Sequence, residues 1–129
     1  MAYVVVPIDF FESDKRIRRL MFRCGGRSVA LPIRLWCLAA RESPRDGRLA
    51  DHTAETLETA LGWTGRSGEL ALALIEAGFL ERTAEEYRVV NWGEDQGHIW
   101  RNHMRAVKAA KALHGQGTVD APSTAWSAA

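Results

Sequence analysis

The sequence predicts a mainly α-helical domain carrying one small β-hairpin, and three observations point there. Apolar residues recur at helical spacing in five separate stretches. Two short β-prone stretches, near 79–82 and 87–91, lie close together with a polar turn between them. The 129 residues are 47% hydrophobic and 26% charged, ordinary for one globular domain able to build a core without disulfide staples.

The first helix begins near Ser13, which can cap it, and runs through DKRIRRLMFRC to Gly25-Gly26. On a helical wheel Ile17, Leu20, Met21 and Cys24 share one face, while Lys15, Arg16, Arg18, Arg19 and Arg23 take the other. A second helix, from Ser28 to about Arg41, is apolar around most of its circumference and is the expected central core helix. Pro32 is tolerated if it falls in the first turn, where the N–H it lacks would have no helical partner. SPRDG at 43–47 reads as a turn, and GRLA can supply one short strand. Thr53 is a suitable N-cap for a third helix through AETLETAL, with Glu55 near the positive end of its dipole.

WTGRS then bends into a fourth helix ending at Ala77-Gly78. Its inner face is expected to hold Leu70, Ala71, Leu74 and Ile75, with Arg66, Glu69, Ala73 and Glu76 outside. The hairpin follows. GEDQ starts the last helix, in which Trp100, Met104 and Val107 form an apolar stripe beside a basic stripe of Arg101, Arg105 and Lys108, with Lys111 snorkelling from the apolar line. The expected domain is residues 1–114. Residues 115–129 read as a flexible tail whose Trp126 is a candidate anchor for a partner protein or a neighbouring copy. The order from Ser28 to Asn91 is helix, strand, helix, helix, strand, strand. That is the order of a winged helix-turn-helix, here with extra N- and C-terminal helices.

Charge is unevenly spread under a net charge of +1. Residues 1–45 hold nine Lys/Arg against four Asp/Glu, residues 46–97 four against eleven, and residues 98–129 four against one. An acidic middle therefore lies between two basic flanks.

These residues resemble the N-terminal domain of phage replisome organiser proteins, relatives of the primosomal helicase-loading initiators of Gram-positive bacteria. The resemblance covers about residues 8–113. It is carried by DFFESDKRIRRL, RLWCLAARESPRDGRL, ALIEAGFLE and YRVVNWGEDQ running into a basic helix. VVNWGEDQ is the most specific piece, whereas AGFLE is common to winged helices generally. The resemblance implies a winged-helix fold, binding of origin DNA through it, and recruitment of replication proteins through a separate C-terminal region.

Reading of the major groove needs Arg, Lys, Asn or Gln at the start of the recognition helix. The sequence offers Arg66 there, with Thr64 and Ser67 as phosphate or backbone contacts. One arginine can specify about one base pair, worth roughly 1–3 kcal/mol. Phosphate attraction is therefore expected from Lys15, Arg16, Arg19 and Arg23 on the first helix and from Arg101, Arg105, Lys108 and Lys111 on the last. Arg82 and Arg88 are the contributions of the hairpin, whose tip is acidic. Double-stranded DNA is the expected partner, in a role touching replication initiation or its regulation. A protein-binding adaptor or inhibitor built on the same fold is the alternative, motivated by the acidic middle.

Other chemistries find little footing. His98 and His103 are five residues apart and do not face one point on a helix, so no metal site is expected. No nucleophile elbow or P-loop is present, so no enzyme activity and no cofactor are implied. Cys24 and Cys37 lie in apolar helical surroundings and read as free thiols of a reducing compartment. The N-terminus lacks a basic signal n-region, and no apolar run approaches the roughly 20 residues of a membrane span. A cytoplasmic protein of a bacterial host cell is expected, with its oligomeric state open.

Overall fold

An acidic residue breaks the first helical stretch in two. Asp14 has an extended backbone (φ −75°, ψ 117°) that separates a single turn, α1 (Phe10–Ser13), from α2 (Lys15–Cys24). The computed structural model describes residues 3–113; the expected tail and its Trp126 lie outside them. Asp14, not Ser13, caps α2. Its carboxylate accepts from the Arg16 backbone N–H at 2.9 Å and also holds the Arg16 guanidinium, so one side chain satisfies a first-turn amide and complements the helix dipole. The extra turn of α1 exists to deliver Phe10, buried against Trp36 and Phe79 with ring centroids 5.3 and 6.1 Å away.

A 3-10 turn at Gly26–Ala30 feeds α3 (Leu31–Glu42), with Pro32 in the first turn, where its missing N–H costs nothing. As expected, α3 is the central helix: Leu31, Leu35, Trp36, Leu38 and Ala39 are all buried. The 43–47 turn closes on Gly47, whose φ of +70° and contact with Trp92 both require glycine; a Cβ there would lie 2.9–3.1 Å from the Trp92 ring. Trp92 also donates its indole N–H to Pro44 O at 2.8 Å, which fixes this turn to the start of the C-terminal helices.

β1 (Arg48–Leu49), α4 (Ala54–Leu61), α5 (Glu69–Ala77), β2 (Leu80–Arg82) and β3 (Tyr87–Val89) follow in the expected order. Thr53 caps α4 in a reciprocal box with Thr56. The sheet is antiparallel with order β1-β3-β2, pairing Arg48 with Arg88 on one side and Glu81 with Arg88 on the other. The described residues thus form a mainly helical fold with a small three-stranded sheet. In α5 the inner face is rotated from the expected one: Ala73 is buried and Ile75 only half-buried. The cause is α2, which packs against α5 and reaches its end through Arg19 at Ala77 O and Arg23 at Glu76.

The final stretch forms two helices instead of one, α6 (Trp92–Gln96) and α7 (His98–Leu113). Gln96 is fully buried, and its side-chain amide accepts from Val5 N at 2.8 Å and donates to Val5 O at 2.6 Å, docking the N-terminal segment as a strand partner would. Among the described residues no helix is long and apolar enough to cross a membrane.

Candidate nucleic-acid interface

The bend between α4 and α5 presents Thr64, Arg66 and Ser67 to solvent. Trp63 organises it by donating its indole N–H to Arg66 O at 3.1 Å and lying flat over Gly65, where any Cβ would overlap the ring. Arg66 is exposed and has no ion-pair partner among the described residues. The amides that open α5 are a different matter. Gly68 occupies the N-cap position and has no side chain with which to satisfy them. Glu58 of α4 does so instead: its carboxylate, 3% exposed, accepts from Gly68 N at 2.8 Å and from Ala71 N at 3.0 Å. A helix N-terminus is a ready anion site, and here the protein's own carboxylate fills it. Sequence reasoning overlooked Glu58; the available signal was a helix opening on glycine with no capping side chain.

The cations of α2 divide. Arg16, Arg19 and Arg23 recur at helical spacing on the flank that meets α5 and α6. Arg16 is held by Asp14 and Asp95, each at 2.9 Å, and its guanidinium lies over the Phe79 ring at 4.7 Å. The paired Asp14 carboxylate raises the Arg16 pKa further, and in return the Arg16 hydrogen bond holds Asp14 below the ordinary carboxylate value. Arg19 donates to Ala77 O at 2.9 Å, satisfying a carbonyl at the C-terminus of α5. Arg23 pairs with Glu76. On the opposite flank Arg18 donates to Glu12 O at 2.6 Å, and Lys15 and Phe22 are exposed.

In the hairpin Thr83 closes the turn by accepting from the amides of Glu85 and Glu86, leaving Ala84 and Glu85 exposed at the tip. Glu86 folds back instead and binds Arg48 through both oxygens at 2.6 and 3.1 Å, which raises the Arg48 pKa. Arg88 lies 3.9 Å from the same carboxylate, and its buried Nε has no hydrogen-bond partner. Arg82 stacks on Tyr87 at 4.5 Å.

Helix α7 shares with α2 a set of cations without a carboxylate, but its cations are in no ion pair among the described residues. Over 16 residues it carries Arg101, Arg105, Lys108 and Lys111 and no carboxylate. Ile99 is its one buried residue, and among the described residues the rest of its length is half-buried or exposed. Its base is anchored by His98, hydrogen-bonded to Tyr3 O at 2.9 Å, and by Trp100, over which Arg45 sits at 5.9 Å. Beyond that, Met104 and Val107 floor a shallow depression edged by the four cations. The contact between Arg16 and Asp95, three residues before α7, places the start of α2 beside the start of this helix.

Compared with protein-family models, with curated proteins and with solved structures, the chain matches none. Among the described residues no cluster of His, Cys, Asp and Glu could hold a metal ion. His52 is engaged with Glu42 at 2.8 Å and Thr56 at 3.1 Å. Cys24 and Cys37 are free and half-buried, and burial, reinforced by Glu69, pushes the Cys24 thiol pKa up.

Proposed function

We propose that the chain is a DNA-binding winged-helix protein of phage or prophage type, acting in replication initiation or its regulation by binding duplex DNA. In this reading α4 and α5 are the helix-turn-helix pair, β2 and β3 the wing, and β1 the strand that completes the sheet. The observation that carries it is α7: four cations, no carboxylate and one buried residue make a helix surface whose charge is complementary to a polyanion. Exposed Arg66 at the α4–α5 bend and exposed Lys15 on α2 add to it. The resemblance to replisome organisers supplies the replication role.

The test is fluorescence anisotropy with a short mixed-sequence duplex at low salt. Saturable binding supports the proposal, and no binding overturns it. An origin-dependent plasmid replication assay, with and without the protein, then tests the replication role; unaltered replication would remove that part.

A second reading is favoured by one observation. Glu58 already occupies the α5 amides, and Glu69, Glu76, Glu81 and Glu85 follow in the same region, which suits a winged helix used as a protein-binding adaptor or inhibitor without direct DNA reading. Co-purification of a defined replication protein, with no duplex binding at any salt concentration, would favour that reading.

A further inference from the structure

We propose that α7, and not α5, is the helix that enters the major groove of duplex DNA, with Asn102 and Arg105 at base edges and Arg101, Lys108 and Lys111 on one phosphate strand. The inference rests on the DNA-binding reading above and assigns its groove contact. Two features argue against α5 in this role. The amides at its N-terminus are taken by Glu58, and its exposed positions are Leu72 and Glu76, neither of which donates a hydrogen bond.

Everything the groove requires is present on α7. A B-form major groove about 12 Å wide admits one α-helix of diameter about 10–12 Å, provided that the helix stands clear of its own domain. Among the described residues, the helix beyond Trp100 is mostly exposed, with no buried side chain. Asn102 and Arg105 are exposed neighbours at i, i+3. They are the side-chain types that pair in bidentate fashion with adenine N6/N7 and guanine O6/N7. Ala109 and Ala112 continue that face with side chains small enough for close approach. Arg101, Lys108 and Lys111 lie to one side of it. From Arg101 to Lys111 the axis advances about 15 Å at 1.5 Å per residue. A single phosphate strand borders each side of the groove, so cations on one flank of the helix face one strand.

The experiment measures duplex affinity across a salt series for the wild type, for the triple variant Arg101→Gln, Lys108→Gln, Lys111→Gln, and for Arg66→Gln. All four side chains are exposed, and circular dichroism checks that each variant keeps its helix content. The triple variant is expected to flatten the slope of log K against log salt by about 2.7, at 0.9 per cation removed, while Arg66→Gln changes it by about 0.9 or less. In a second arm, dimethyl sulfate footprinting on the same duplex should show guanine N7 protection that is lost with Arg105→Ala. Unchanged slope in the triple variant together with a large loss for Arg66→Gln would overturn the inference while leaving DNA binding intact. Failure of the wild type to bind would remove the functional reading itself. Binding of a synthetic acidic amphipathic helix at α7, without duplex binding, would assign the helix to a protein partner and overturn the inference too.

Discussion

Glu58→Gln is the perturbation that most sharply examines how α5 is held. In the wild type one buried carboxylate accepts two backbone N–H groups, at 2.8 and 3.0 Å. Hydrogen bonds to a charged acceptor contribute roughly 1.5–3 kcal/mol each, and a buried donor left without a partner costs about 1–3 kcal/mol. Glutamine keeps one carbonyl oxygen for one amide and turns an NH2 group toward the other, so donor faces donor. The net loss is about 2 kcal/mol, which for a domain of this size lowers Tm by roughly 7 °C. Urea unfolding followed by circular dichroism measures it, with Glu85→Gln at the exposed hairpin tip as the control expected within about 0.5 kcal/mol of wild type. If Glu58→Gln unfolds at the same urea concentration as that control, the carboxylate is not what secures the start of α5.

Three further outcomes follow from the same contacts. Because Asp14 titrates below its ordinary value in the folded state, its contribution is present above about pH 4 and is lost as pH falls through the lowered folded value. Acid titration of wild-type stability should therefore show a decline of roughly 1 kcal/mol below pH 4 that Asp14→Ala, already weaker at neutral pH by a similar amount, does not share. Gly47→Ala places a methyl group against the Trp92 ring in a positive-φ backbone and should cost about 2 kcal/mol or more in thermal unfolding, against nearly nothing for Ala84→Gly at the hairpin tip. In a Cys37→Ser background, the iodoacetamide reaction of Cys24 should keep accelerating above pH 9, since its thiol is raised from that value; a plateau near pH 7 would contradict the burial argument.

Much of the fold could be read from the sequence because its local signals agree with its packing. Thr53, Pro32, Gly62 and Gly78 stand where the helices begin and end, and the alternation in YRV set the strand. What escaped was long-range. Asp14 displaces Ser13 as cap through a local contact with Arg16, whereas the hold of Asp95 on the same guanidinium, 79 residues away, has no local signal. Gln96 reads as a polar residue in a helix start, yet it is buried by the Val5 backbone, a contact no local pattern encodes. The candidate interface was legible in composition and less so in placement. The basic face of α2 was visible on a helical wheel, but only the fold shows Arg16, Arg19 and Arg23 turned toward Asp95, Ala77 and Glu76. The stripe on α7 needed no tertiary information, because helical spacing alone gathers its cations.

The most direct measurement is the salt dependence of wild-type affinity for a duplex. Engagement of phosphates by Arg101, Lys108 and Lys111 predicts a log–log slope of about −2.7 or steeper, with binding strongest at the lowest salt. A flat dependence, or no complex at low salt, would contradict attraction of DNA by these cations.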